Sequence, residues 1–317
     1  MTRFILVRAG ILALGWFLAS LLIFATLRLL PGDVAQIIGG TQASPERIAQ
    51  IREQLGLTRP PVSQYLEWIF GVARFDLGDS ILTGTSVASE LLQKSEVTLP
   101  LTVMALVIAL LWAIPVGIFA AYRAGSALSR AASAASLLAA AVPVVWAGLL
   151  GTLLLSTWLG WLPSQGFPRD GWADPLAALR SLALPALTIG LIEGAILFRF
   201  VRSATFSALD ADHVRTAMSQ GDTRLRALLT QGVPGVGLSI ISILGLQAAA
   251  LLVGAVVIER LFSLPGLGSM LVTAVAQRDL PKVQSTLLVL TGVILVIGAI
   301  VDIVHRIIDP RLKSVAE

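Results

Sequence analysis

The sequence predicts an all-α, polytopic membrane protein with about six transmembrane helices and a small helical cap outside the membrane. Three observations predict it. Of 317 residues, 56% are hydrophobic and 13% are charged, against about 25% charged in soluble domains. Six apolar runs each approach the ~20 residues that span a bilayer. Arginine and lysine also divide unequally between the loops, as they do in membrane proteins. The net charge of +4 fits cationic membrane loops, and no nucleic-acid partner is expected. There are no cysteines, which excludes a disulfide frame, a thiolate metal site and a cysteine nucleophile.

The first run, 9–30, reads "AGILALGWFLASLLIFATLRLL". It exceeds the h-region of a signal peptide and no A-x-A site follows, so it is expected to stay as a transmembrane helix. Residues 31–96 form an external segment. In "SPERIAQIREQLGL" Ser44 is a helix N-cap and Pro45 occupies the first turn, where its missing N–H costs nothing. Ile48, Ile51 and Leu55 share one face, and Gly56 is the stop signal. "VSQYLEWIFGVARF" reads as a second short helix with an aromatic face. A segment of ~65 residues buries little core by itself, so a cap is expected here and not a separate ligand-binding domain.

The remaining runs fall at 97–121, 132–160, 181–201, 236–258 and 283–305, within a transmembrane core of 97–306 followed by a tail, 307–317. The run 132–160 is overlong and contains Pro143, which leaves it tilted, kinked or split. If both termini are cytoplasmic, that side holds 12 cations, among them Arg3, Arg311 and Lys313, against six acids, among them Asp309 and Glu317. The outer side holds 11 cations against 12 acids. The loop "YRAGSALSR" carries two arginines and no acid. This bias places both ends inside and 31–96 outside.

Enzyme chemistry is sparse. None of the three lysines follows a glycine, so no phosphate loop of the G-x-x-x-x-G-K-[ST] type can be written. His213 and His305 are far apart and no metal-ligand spacing is present. "PGVG" and "PGLG" read as turns, and His213 as a solvated loop residue. Two polar residues stand inside spans. Glu193, in "LTIGLIEGAILFRF", is a carboxylate at mid-span, costly unless paired or solvated. It pairs with a partner subunit or lines a cargo path. Gln247 is a second candidate for that path or for a structural hydrogen bond.

One polar stretch, "SALDADHVRTAMSQGDTRLRALLTQGVP" at 207–234, lies between two apolar runs. At 100° per residue, Val214, Ala217, Met218, Gly221, Leu225, Leu228 and Leu229 gather in an arc of about 120°. This is one amphipathic helix, or two broken at Gly221. It lies on lipid headgroups or docks its apolar stripe into a groove on a cytoplasmic partner.

"DADHVRTAMSQG" followed by "VP" resembles the cytoplasmic loop of binding-protein-dependent ABC importer permeases. "LRLLPGD", "REQLGLTRPPVSQYLEWI", "FDLGDS", "IERLFSLPGLG", "AQRDLPKVQ" and "VDIVHRIIDPRLK" resemble one branch, the first permease subunit of oligopeptide, dipeptide and nickel importers. The loop departs from the family pattern: it begins with Asp212 and His213 in place of a glutamate, and has Thr216 and Ala217 where two alanines are usual. The resemblance implies a type I importer permease fold in the bacterial inner membrane. It implies a heterodimer with a second permease, two cytoplasmic ATPases that bind ATP and Mg, and an external solute-binding protein, with no cofactor and no catalysis in this chain. It makes loop 203–234 the coupling element, with Asp212, Val214, Arg215, Ala217, Met218, Gly221, Leu225 and Leu228 as the ATPase-docking residues. Peptides are the expected cargo, with nickel, a metal chelate or another small solute as alternatives. An ion-coupled secondary transporter is the rival of another class, and would need more intramembrane ionisable groups than Glu193.

Overall fold

The computed structural model describes residues 2–29, 34–40, 43–54 and 56–308. Leu55, the "PGD" of the first motif and the tail from residue 309, with Arg311, Lys313, Asp309 and Glu317, lie outside the described residues, as does the side chain of Arg3. In chain order the helices are α1 (Thr2–Leu29), α2 (Val34–Gly39), α3 (Pro45–Gln54), α4 (Pro61–Ala73), α5 (Val87–Tyr122), α6 (Ala127–Ala141) and α7 (Val144–Gly151), which a π-helical stretch extends to Trp158. Then follow α8 (Pro175–Leu209), α9 (Asp212–Ser219), α10 (Arg224–Ala227), α11 (Val233–Leu261), α12 (Leu267–Gln277) and α13 (Leu280–Ile308). Among the described residues there is no strand, only an isolated bridge between Asp79 and Ser86.

Five helices are long and apolar enough to cross a membrane, and a bent pair makes a sixth. The pair is Ala127–Ala141 with Val144–Trp158, bent by 104°. The run 132–160 is therefore split, not one straight span. Pro143 is the cause: it has no N–H to continue the ladder, and it keeps Val142 extended, at φ −75° and ψ 126°. The other spans outrun their apolar stretches. α5 begins ten residues before 97, and α8 extends beyond 181–201 at both ends. Hydropathy marks the part that lipid requires, while the helical ladder continues through polar turns. "PGVG" is likewise no turn. Pro234 sits in the first turn of α11, where its missing N–H is tolerated.

The chain divides into two compact units. One joins residues 1–96 to 269–296. In it the Ser44 hydroxyl caps α3 by accepting from Arg47 N–H at 3.3 Å, and Ile51 is buried. Gly56 closes the segment at φ +65°. Tyr65 of α4 meets the Ser20 hydroxyl of α1 at 2.9 Å and stacks edge-on to Phe24. Residues 76–86 are fastened to the start of α13. The buried Asp279 accepts from Ser80 Oγ at 2.5 Å and from Ile81 N–H at 3.3 Å, and Ser285 Oγ donates to the Leu77 carbonyl at 3.1 Å. Lys282 pairs with Glu90 at 2.9 Å. The segment between the first two spans is thus completed by residues from far along the chain.

The other unit comprises, among the described residues, 97–268 and 297–308. Its centre is α8, the most enclosed span. Leu182, Leu184 and Ile189 pack with Leu101 of α5 and with Leu251, Ile258 and Phe262 in one core cluster. Leu197, Phe198 and Val201 pack with Val236 and Ile240 in a second. Gly190 allows the α5–α8 contact: a Cβ there would come within 2.7 Å of the Ala105 carbonyl oxygen.

Candidate functional site

The polar stretch folds as two helices separated at Gly221. Asp212 stands in the first turn of α9, where a carboxylate complements the helix dipole. The helix ends in a Schellman motif: Asp222 N–H donates to the Ala217 carbonyl and Gly221 N–H to the Met218 carbonyl, both at 3.1 Å. Gly221 takes φ +103°, a conformation that other residues adopt only under strain. The Thr223 hydroxyl then caps α10 by accepting from Arg226 N–H at 3.3 Å. A π-helical turn, Leu228–Gly232, joins α10 to α11. Ion pairs Arg226–Asp222 at 3.2 Å and Arg215–Asp210 at 3.6 Å run along the outside, and Arg224 lies 5.5 Å above the Tyr122 ring.

The apolar arc is not a free stripe. Val214 and Ala217 are buried with Ala227, Met218 packs against them, and Leu228 is fully enclosed. A Cβ on Gly232 would meet Leu228, Ala208 and Val214. Of the expected docking residues, Val214, Ala217 and Leu228 are buried and Met218 is partly buried, turned toward Ala227 of α10, Ala208 at the end of α8 and the π-helical turn. The break at Gly221 ends the helical phase that had put all seven residues in one arc. Of the arc, Gly221, Leu225 and Leu229 remain exposed. The open surface is otherwise polar, with Asp212, His213, Arg215, Thr216, Ser219 and Gln220.

The two intramembrane candidates meet each other. Gln247 Nε2 donates to the Glu193 main-chain carbonyl at 3.0 Å and to Glu193 Oε2 at 2.5 Å. They join α8 to α11 near the middle of both spans. Gln247 is buried and Glu193 half-buried.

Sequence reasoning missed Glu259. Its charge, beside Arg260, reads as the polar end of a span, yet Glu259 is fully buried. Thr98 Oγ1 donates to Glu259 Oε1 at 2.6 Å and accepts from Leu267 N–H at 2.8 Å. The glycine of "LPGLG" was the available signal. Gly266 lies directly against the Glu259 carboxyl, where no Cβ fits. Phe262, Leu264 and Leu267 are buried, so this turn offers only Ser263 and Pro265 to a partner. Among the described residues no group of three His, Asp or Glu side chains is placed to hold a metal ion.

Comparison with known proteins agrees with this architecture. Residues 113–314 match the family described as binding-protein-dependent transport system inner membrane component, and residues 1–102 match the N-terminal component of the same systems. A Brucella abortus (strain 2308) protein named as a peptide transport system permease is 37% identical over 313 residues, covering 99% of each chain. The dipeptide transport system permease DppB of Escherichia coli (strain K12) is 32% identical over 336 aligned residues, again covering 99% of each. The di/tripeptide permease DppB of Pseudomonas aeruginosa (strain UCBPP-PA14) is 32% identical with the same coverage.

Proposed function

Because the chain belongs to the family of inner membrane components of binding-protein-dependent transport systems, we propose that it is a permease subunit of an ATP-driven peptide importer. It forms half of the translocation pathway, and a second, homologous permease forms the other half. One observation carries the cargo: relatives aligned over 99% of this chain are named for peptides, dipeptides and di/tripeptides.

The energy source in this reading lies in two cytoplasmic ATPases that bind ATP and Mg; this chain is a transport subunit and not an enzyme. Both termini and α9 face the cytoplasm. The ATPase seats on the open face of α9 and on the turn after it, through Asp212, Arg215, Gly221 and Leu225. The buried face of α9 supports this role, since Val214 and Ala217 tie the helix to α8 and to the helix that becomes α11. A push on α9 is delivered to the two spans that carry Glu193 and Gln247. The permease pair alternates between inward-open and outward-open states, and each ligand biases them by its differential affinity. The solute-binding protein delivers cargo to the outer side, where residues 31–96 and the segment 269–279 before α13 form its platform.

The test is reconstitution of this chain in liposomes with the second permease, the ATPases and the binding protein. Uptake of labelled tripeptides should require ATP and every subunit. Uptake by this chain alone under a proton or sodium gradient would overturn the reading.

A further inference from the structure

Among the described residues Glu193 has a neutral amide as its side-chain partner and no cation. It stands at the middle of the 35-residue helix α8. Gln247 donates to its main-chain carbonyl and to Oε2. A carbonyl only accepts, so the nitrogen of the carboxamide faces Glu193, and both amide hydrogens are spent on that one residue. Gln247 is 4% exposed, which fixes the donor in place. Oε1 of Glu193 receives no hydrogen bond from any described residue, and it is not among the buried atoms left without one. On the neighbouring face of α8, Gly190 and Gly194 press against α5, closing that side to the carboxylate.

An ionised carboxylate at this depth costs a few kcal/mol unless it is paired or solvated. Here it is oriented by a buried amide, with one oxygen that accepts no hydrogen bond and no ion pair among the described residues. We infer that Glu193, positioned by Gln247, is a subsite in the translocation path for a cationic group of the peptide in transit, either its amino terminus or a basic side chain. This rests on the peptide-importer reading above. It makes Glu193 a determinant of which peptides pass, acting after delivery by the binding protein. Gln247 is the positioning residue.

The assembled complex in liposomes tests it. Uptake is measured for three tripeptides with lysine, methionine or glutamate at the centre, each with a free or an acetylated amino terminus. For every peptide the rate of Glu193→Gln is divided by that of the unaltered complex, which cancels the preferences of the binding protein. The ratio should fall about tenfold for peptides carrying the recognised cation relative to those without it, as expected when one partner of an enclosed charge pair is removed. A fall confined to lysine peptides assigns the side chain, and a fall in free but not acetylated peptides assigns the amino terminus. Gln247→Met should produce the same charge dependence with a smaller fall, and a charge-independent response would remove its positioning role. A ratio equal across all six peptides overturns the subsite. An equal ratio with a lower yield of complex overturns it too, and assigns Glu193 a structural role in folding or assembly. If the unaltered complex moves none of the peptides, the peptide reading itself fails and the subsite falls with it.

Discussion

Thr98 serves two groups with one hydroxyl, donating to Glu259 and accepting from the N–H of Leu267. All three residues are buried, so neither bond has water to replace it. Thr98→Val keeps the shape and removes both bonds, and should destabilise the chain by about 1–3 kcal/mol. Gly266→Ala attacks the same place by volume, since its methyl group must displace the Glu259 carboxyl, and should cost a similar ~1–3 kcal/mol. Gly254→Ala is the control, because its added Cβ meets nothing within 4 Å. Thermal unfolding in detergent should show both variants below the parent and the control at its level. A Thr98→Val protein that unfolds with the parent would refute the role given to the hydroxyl. At this scale the sequence was informative in proportion to contrast. Glu193 and Gln247 stand out against apolar surroundings, but their pairing depends on how α8 and α11 meet. Glu259 has a charged neighbour and a span end beside it, so nothing local marks it as buried.

Helix α9 shows what periodicity conveys and what it omits. The apolar spacing from Val214 identified an amphipathic segment and the residues that share its face. It did not identify what covers that face, because the same stripe serves an outside partner or the protein's own core. Capping chemistry settles part of this: Gly221 and Thr223 end one helix and begin another, and the stripe then folds inward. Two neighbouring substitutions should therefore fail in different ways. Val214→Asp buries an unpaired charge at a cost of several kcal/mol and should lower the yield of folded chain even without the ATPases. Arg215→Glu breaks only an exposed pair with Asp210, worth about 0–1 kcal/mol, so the chain should fold normally. It should still reduce ATPase co-purification and the hydrolysis stimulated by loaded binding protein. Full association and full stimulation in Arg215→Glu would move the docking face elsewhere.

For the whole molecule, composition was enough to assign a membrane protein with about six crossings, since lipid sets the length of each apolar run. Composition could not show how the segment between the first two spans is stabilised. Residues 31–96 have helix caps and an aromatic face but little core, and the shortfall is met by residues 269–296, nearly two hundred positions later. Asp279 is the clearest link. It is 1% exposed and holds both the Ser80 hydroxyl and the Ile81 N–H, with Lys282 at 3.9 Å. Asp279→Ala deprives two donors of their acceptor and leaves the nearby Lys282 its pair with Glu90. The expected loss is about 1–3 kcal/mol, concentrated in the segment 76–86. Limited proteolysis should then cut between residues 76 and 86 at protease concentrations that spare the parent. If the cap is the platform for the binding protein, stimulation of ATP hydrolysis by loaded binding protein should fall in the same variant, while co-purification of the ATPases stays at the parent level. Unchanged cleavage would show that Asp279 does not fasten the segment. Increased cleavage with full stimulation would show that the binding protein engages another part of the outer surface.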